Sequence, residues 1–312
     1  MNDIKHSHFF AMGTRIDLVF PYLEDEIFEE LQWVIKNEVE RIHYKLSYFD
    51  KESDISHINN EAWKRDLMLD DELFDILTTC QNYYHITLGQ FDITLRPVYD
   101  YYKNNDSLAD EDQAGFADFV GQEKIVIDRN QKTIRTLHPN TKIDLGGFGK
   151  GYALELVKNI CKDYGIKDGL INFGNSTIYA LGSHPNGDCW KIGVQNVFCP
   201  SKSIYVFELS DEALSFSGNS YVKEKLHMHI INPGDLTLSK KIATFGVKGV
   251  SPMDAEVLST AMFTASDIKK SMIFKNLNAF LSGIEVNYQN EEDYTINQFY
   301  YEKGKYKQAK VY

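Results

Sequence analysis

The segment Asp144-Leu145-Gly146-Gly147-Phe148-Gly149-Lys150-Gly151 holds four glycines in eight residues. The apolar residues before it predict a short strand that ends at Leu145, and the spacing after it predicts a helix through about Tyr164. Glycines between a strand and a helix let backbone N–H groups approach an anion at the helix start, and Lys150 adds a positive charge there. The segment therefore indicates either a phosphate site or a tight structural turn, where glycine is also the usual residue.

Neither common phosphate-binding pattern describes this glycine turn. The Walker pattern needs a glycine at the position of Asp144. The dinucleotide pattern G-x-G-x-x-G is not met, because Gly147 and Gly149 are followed by Gly151. The residue types therefore indicate phosphate binding, but the segment fits neither the Walker-type nor the dinucleotide-binding fold.

Outward from the turn, helices are mixed with hairpins, which favours an α+β fold over a doubly wound sheet. Apolar residues at helical spacing predict helices at 24–47, 70–85 and 254–265. Residues 7–20 predict a strand interrupted at Met12-Gly13-Thr14. Further strand candidates are separated by Gly, Asn and Pro and lie at 170–181, 190–194, 204–209, 227–231 and 242–250.

The charge balance and hydropathy narrow the class of protein. The 33 Lys and Arg against 45 Asp and Glu give a net charge of −12, which argues against a nucleic-acid partner, because phosphate backbones need a basic face. No apolar run approaches the ~18 residues of a spanning helix, so we expect no transmembrane segment. The start lacks the pattern of a signal peptide, which predicts a cytoplasmic chain as sequenced, with an exported form only if the native start lies upstream.

The four cysteines do not suggest a structural centre. Cys80, Cys161, Cys189 and Cys199 form no CxxC pair, so a zinc site is not indicated. Four scattered cysteines in 312 residues do not make a disulfide framework either. We expect four reduced thiols.

Nine segments, taken in order, resemble the ApbE-like flavin transferases, which are FAD:protein FMN transferases. The resemblance covers about residues 9–285, with short motifs that gain specificity from their common order. The segments are Ala11–Thr14, 53–59, 89–94 with Pro97, 143–151, 171–175, 190–194, 217–219, 229–233 and 256–261.

The resemblance implies a single ApbE-like α+β domain of mixed or antiparallel sheets with flanking helices. We expect this domain at residues 1–290 and a C-terminal extension at 291–312, which is polar and Tyr-rich and forms either an added strand or a loose tail. It also implies the reaction: FAD binds with its pyrophosphate at the glycine turn, and a Ser or Thr hydroxyl of an acceptor protein attacks the FMN phosphorus. AMP leaves, with Mg²⁺ as the cofactor that bridges phosphate oxygens.

The same resemblance implies roles for individual residues. His229 would orient or deprotonate the acceptor hydroxyl, and Lys150 would lie beside the pyrophosphate. Glu256 and Thr260, four apart on one helix face, would bind the metal together with a backbone carbonyl near Gly147. The residues expected to bind FAD are Met12, Gly13, Asn59, Phe91, Asp92, Gly146, Gly147, Lys150, Gly174, Asn175 and Ser217.

Ordinary structural roles remain open for several of these residues. Met12 is also a common core filler, Asp92 and Asn59 are common in turns, and histidines alternating on a strand, like His227 and His229, most often bind no metal.

Three carboxylate positions depart from the usual family pattern, and Gly174-Asn175 stands where the family usually has Gly-Gly. Glu256 stands where the family usually has Asp, Asn232 stands in an Ile-Asp-Pro motif, and Asn219 stands in a Ser-Gly-Asp motif. Three hypotheses follow: a Mg²⁺-dependent transferase, a catalytically impaired protein that binds or stores FAD, and an FAD pyrophosphatase in which water replaces the acceptor. His229, Lys150 and the pair Glu256 and Thr260 favour the transferase, whereas the altered carboxylates favour the storage protein.

Overall fold

A nine-stranded antiparallel sheet runs through the protein. The structure is a computed structural model that describes residues 4–105, 107–222, 225–277, 281–302 and 305–311. In spatial order the strands are β1 (Ile4–Ala11), β2 (Thr14–Pro21), β6 (Gly169–Phe173), β7 (Thr177–Leu181), β10 (Glu212–Gly218), β13 (Ala243–Gly249), β14 (Ser282–Tyr288), β15 (Tyr294–Glu302) and β16 (Lys305–Val311).

Three smaller sheets flank the large one. The first has the order β3 (Leu67–Met68), β5 (Thr133–Thr136), β4 (Ile125–Asp128). The second pairs β8 (Trp190–Gln195) with β9 (Ser203–Leu209), and the third pairs β11 (Ser220–Val222) with β12 (Lys225–His227). Each pairing between these named strands is antiparallel.

Helices cover the sheet and supply much of the core. They are α1 (Asp25–Leu46), α2 (Asp54–Glu61), α3 (Asp71–Ile86), α4 (Arg96–Tyr102), α5 (Asp110–Phe116), α6 (Gly149–Asp163), α7 (Pro252–Thr264) and α8 (Asp267–Leu277). The apolar stripe of α1, from Leu31 to Leu46, is buried as its spacing requires. Helix α3 begins where Asp70 accepts a hydrogen bond from the backbone N–H of Leu73. In the described ranges, no helix combines the length and apolar character that crossing a membrane requires.

The α+β prediction, with antiparallel sheets and flanking helices, is confirmed, as are the helices expected at 24–47, 70–85 and 254–265. All four cysteines are free thiols. The residues of the expected extension contain β15 and β16, which continue the large sheet beyond β14.

The short strand predicted to end at Leu145 is wrong. The Asn59 amide holds the backbone of Ile143 at both ends: Nδ2 donates to the carbonyl at 2.9 Å, and Oδ1 accepts from the N–H at 2.7 Å. The N–H of Asp144 then donates to the carbonyl of Ile93 at 2.8 Å. The Asn59 side chain and one backbone hydrogen bond therefore satisfy the backbone groups that a neighbouring strand would otherwise pair with.

Two other strand predictions need correction. Residues 170–181 form two strands, because Gly174 and Asn175 have φ of +63° and +57° and turn the chain between β6 and β7. The strand expected at 227–231 ends at His227, so His229 lies in the loop that follows.

Helices α6 and α7 approach closely at Gly151. A Cβ at this position would lie 2.8 Å from the carbonyl oxygen of Pro252 and 3.0 Å from Cα of Met253. Both distances are shorter than ordinary van der Waals contact. Both atoms belong to the backbone, so neither can rotate away. Only glycine permits this approach.

Replacing Gly151 with alanine should lower the free energy of unfolding by about 1–2 kcal/mol, because overpacking outweighs the gain in helix propensity. Chemical denaturation measures the change. The matched control is Gly115→Ala in α5, where no atom lies within 4 Å of the added Cβ. We expect that variant to be unchanged or more stable by up to about 1 kcal/mol. Equal stability of Gly151→Ala and the parent chain would contradict the close approach.

Candidate active site

A cavity of about 920 Å³ opens between the glycine turn, the start of α4, the end of β10 and the loop after β12. Eleven of the residues proposed from the sequence line it. They are Phe91, Asp92, Gly146, Gly147, Lys150, Gly174, Asn175, Ser217, His229, Glu256 and Thr260.

The other three proposed residues do not line this cavity. Met12 and Gly13, with φ of +52° and +71°, form the turn between β1 and β2. Cε of Met12 lies 3.3 Å from where a Cβ on Gly149 would be, so Met12 supports the start of α6 from behind. Asn59 is buried and anchors the backbone of Ile143, just before the glycine turn.

Two glycines of the turn, Gly149 and Gly151, serve close packing. None of the four glycines has φ in the left-handed region. A Cβ on Gly149 would lie 3.3 Å from Cε of Met12, whereas a Cβ on Gly147 would make an ordinary contact, 3.7 Å from the Phe91 ring. The side chain of Asp144 accepts a hydrogen bond from the N–H of Gly146 at 2.9 Å and fixes the start of the turn.

Glu256 connects helix α7 to the glycine turn. Its side chain is buried, and Oε1 lies 2.5 Å from Nζ of Lys150. Oε2 accepts a hydrogen bond from the N–H of Gly151, in the first turn of α6. A carboxylate at the N-terminus of a helix satisfies a free N–H and interacts favourably with the helix dipole. Glu256 therefore holds both the lysine and the helix start.

Uncharged oxygens lie one turn further along α7. The hydroxyl of Ser217 lies 2.9 Å from that of Thr260 and 2.8 Å from that of Ser259. A Cβ on Gly147 would lie 3.9 Å from Oγ1 of Thr260, so the turn and the hydroxyl are neighbours. Carboxylate, hydroxyl and backbone carbonyl oxygens are the hard donors that Mg²⁺ prefers.

The donor chemistry fits a cation. Nζ of Lys150 already lies between Oε1 of Glu256 and the carbonyl oxygen of Gly146, at 2.5 and 3.5 Å, so these two oxygens hold a positive charge. Within the described ranges, no group of three or more His, Cys, Asp or Glu side chains is arranged to bind a metal. A metal at this position would therefore depend on one carboxylate together with hydroxyl and carbonyl oxygens.

His229 lines the same cavity from the loop after β12, which Asn219 holds. The buried Asn219 amide donates to the carbonyls of Ser239 and Lys241 at 2.6 and 2.9 Å, and its Oδ1 accepts from the N–H of His229 at 3.4 Å. A carboxylate could not donate these two bonds. Asparagine at this position therefore has a structural reason.

The surroundings of His229 keep its imidazole neutral. The cavity walls remove water from around the ring, which disfavours the charged imidazolium and lowers the pKa of His229 below the ordinary 6.5. The positive charge of Lys150 lowers it further. A hydrogen bond with the backbone of His227 opposes this shift. The residue remains exposed on the cavity side, so a neutral imidazole faces the space where a substrate would lie.

Asp92 makes turn contacts, as the sequence allowed, and its FAD-binding role stays a prediction. Its Oδ1 accepts from the N–H and hydroxyl of Thr94 at 2.8 and 2.6 Å, which is the geometry of a turn-stabilising aspartate. The residue also lines the cavity, and burial raises its pKa above the ordinary range.

Sequence reasoning missed several residues of the cavity, among them Phe49, Arg96 and Lys103. One signal was available, because Arg96 and Asp100 are four apart and of opposite charge, as in paired positions on a helix. No local sequence pattern identifies Asp144, which also lines the cavity, as the second ion-pair partner of Arg96.

The ApbE family model matches residues 12–281 of the chain. The FAD:protein FMN transferase of Chlamydia trachomatis serovar D is 26% identical over 266 residues, which cover 81% of this chain and 82% of that protein. The solved structure of the ApbE protein from Thermotoga maritima has a TM-score of 0.79 at 22% identity and covers 93% of this chain and 98% of its own. The flavin transferase ApbE from Vibrio cholerae has a TM-score of 0.77 at 18% identity, with 100% and 98% covered. These structural likenesses establish the shared fold.

The His229 ring should titrate below pH 6.5 in an NMR titration, with its signal assigned from the spectrum of His229→Gln. Because the pKa is lower in the folded than in the unfolded chain, this group reduces stability as the pH falls through about 6.5. Lys150→Gln should raise the pKa, since it removes a nearby positive charge. Lys103→Gln changes a cavity charge that does not contribute to the shift and serves as the control. A pKa of 6.5 or above in the parent chain would refute the assignment.

Proposed function

Because the chain belongs to the ApbE family, we propose that it is an FAD:protein FMN transferase, which moves FMN from FAD to a Ser or Thr hydroxyl of an acceptor protein. One observation carries the proposal beyond family membership. The glycine turn, Lys150, the oxygens of Glu256, Thr260 and Ser217, and a neutral histidine all converge on one cavity.

The reaction exchanges one P–O bond for another. The acceptor hydroxyl oxygen bonds to the FMN phosphorus of FAD, the bond from that phosphorus to the AMP oxygen breaks, and AMP leaves. His229 takes the proton of the hydroxyl, for which a neutral imidazole is required, and its depressed pKa keeps it neutral at pH 7. Catalysis of such a transfer depends mainly on positioning and on neutralising charge.

FAD would lie with its pyrophosphate at the glycine turn, where Lys150 offsets the phosphate charge and backbone groups at Gly146 and Gly147 approach closely. Phe91, Asp92, Gly174, Asn175 and Ser217 would contact the rest of the molecule from the cavity walls. Met12, Gly13 and Asn59 would contribute from behind, by holding the turn in place.

Mg²⁺ would be held by Glu256, Thr260 and the backbone carbonyl of Gly147, and when bound it would supply charge neutralisation at the phosphate oxygens. Lys150 adds a second positive charge next to the same group. Because Glu256 is already balanced by Lys150, the wall of the cavity presents no uncompensated negative charge to the phosphates at this point.

Hydrolysis is the second candidate, because His229 is exposed on the cavity side and can be reached by water. In that reaction water takes the place of the acceptor hydroxyl, and the products are FMN and AMP.

AMP release from FAD by the purified chain tests the function, with Mg²⁺ or EDTA and with or without a Ser- or Thr-containing acceptor protein used by ApbE relatives. We expect AMP with Mg²⁺ and acceptor together, and an acceptor that is heavier by one FMN in mass spectrometry. AMP and free FMN without acceptor would indicate the hydrolase. Tight FAD binding without AMP under any condition would leave a flavin carrier.

Glu256→Gln should lower turnover by at least about 100-fold while FAD binding is partly kept. Glutamine keeps the shape of the side chain but removes the charge that balances Lys150 and binds the cation. Steady-state kinetics and FAD titration measure the two effects.

Asp254→Asn is the matched control on the same helix. Asp254 accepts a hydrogen bond from the Tyr83 hydroxyl at 2.7 Å, away from Lys150, and asparagine can still accept it. We expect its turnover to stay within about twofold. Full turnover of Glu256→Gln would exclude the role proposed for this carboxylate.

A further inference from the structure

Arg96 is a buried cation at the edge of the cavity and the first residue of α4. Its side chain is 7% exposed. Nε and Nη2 each donate to Asp100 at 3.0 Å, and Nη1 donates to Asp144 at 3.0 Å. The guanidinium therefore joins a residue on its own helix to one that lies 48 positions further along the chain.

Aromatic rings fix this guanidinium. Its central carbon lies 4.3 Å from the ring centre of Tyr48, 4.7 Å from that of Phe49 and 5.2 Å from that of Tyr99. Rings at these distances attract a cation and restrict its movement. Two carboxylates and three rings hold Arg96 in one orientation, which an exposed ion pair would not achieve.

Asp144 connects Arg96 to the glycine turn. One of its oxygens, Oδ2, accepts from Arg96, and the other, Oδ1, accepts from the N–H of Gly146 at 2.9 Å. The orientation of the carboxylate therefore sets the direction of the first peptide group of the turn. Its negative charge would also repel an anion bound there, unless a cation offset it.

We propose that Arg96 is a positioning residue for the pyrophosphate of the dinucleotide: it orients Asp144, and through it the glycine turn, and it neutralises the Asp144 charge. This inference rests on the proposed function, because it assumes that the pyrophosphate lies at the turn. It predicts that loss of Arg96 weakens the binding of ligands that carry the two phosphates and leaves the binding of the base unchanged.

The test compares ADP with adenosine, which carries the same base without the two phosphates. Calorimetric titration of the full chain measures both dissociation constants. For Arg96→Gln we expect ADP to bind about tenfold more weakly and adenosine to change by less than about twofold, since one charge-assisted hydrogen bond and one offsetting charge are lost.

Two further variants separate positioning from general stability. Asp100→Asn keeps the bond between Arg96 and Asp144, so ADP should bind within about twofold of the parent chain. In an Asp144→Asn background, Arg96→Gln should change ADP affinity by less than about twofold, because the residue through which it acts is already altered. Thermal denaturation of each variant accompanies the titrations.

The outcomes distinguish this inference from the proposed function. If the parent chain binds neither FAD nor ADP, the proposed function fails and the inference with it. If the parent binds both and Arg96→Gln binds ADP equally well, or loses ADP and adenosine alike, only the inference fails. Should Arg96→Gln not fold, Arg96→Lys undergoes the same comparison, with the phosphate-specific loss expected to be smaller but still present.

Discussion

The close approach of helix α7 to the first turn of helix α6 is the constraint on which the rest of the site depends. It requires glycine at position 151, because a side chain there would meet the backbone of Pro252 and Met253. The approach brings Glu256 within reach of both the N–H of Gly151 and the ammonium of Lys150. It also places Thr260 next to Gly147. The absence of a Cβ at Gly151 thus allows a carboxylate, a lysine and a hydroxyl to meet at one wall of the cavity.

Paired charges explain how a chain with a net charge of −12 can offer a site to an anion. Glu256 is balanced by Lys150, and Asp144 is balanced by Arg96. Burial raises the pKa of Asp92, which disfavours its charged form. The acidic side chains that line the cavity are therefore compensated locally. Solvent and salt screen the interaction between the glycine turn and the more distant acidic residues on the surface.

Two of the three altered carboxylate positions, Asn219 and Glu256, have structural reasons in this chain. Asn219 donates two hydrogen bonds to backbone carbonyls and so holds the loop of His229, a task that requires an amide. Asn232 accepts from the N–H of Gly234 at 3.1 Å, a bond that an aspartate would accept equally, so nothing in the structure explains the asparagine at this position. Glu256 reaches two partners at once, for which the length of its side chain is useful. Loss of a carboxylate at the two asparagines is therefore compatible with an intact architecture around the cavity.

The sequence by itself determined the features that depend on local spacing. The long helices follow from apolar periodicity, and the order of nine short motifs identified the family and eleven of the residues that line the cavity. Only the tertiary structure decided how Asn59 replaces a strand neighbour for Ile143, 84 positions away, and how Arg96 reaches Asp144. It also decided that Met12 packs against the start of α6 and that Gly149 and Gly151 serve close packing. Such contacts join segments that are distant in the chain, and local spacing contains no information about them, because side-chain partners are selected only when the whole fold brings their backbones together.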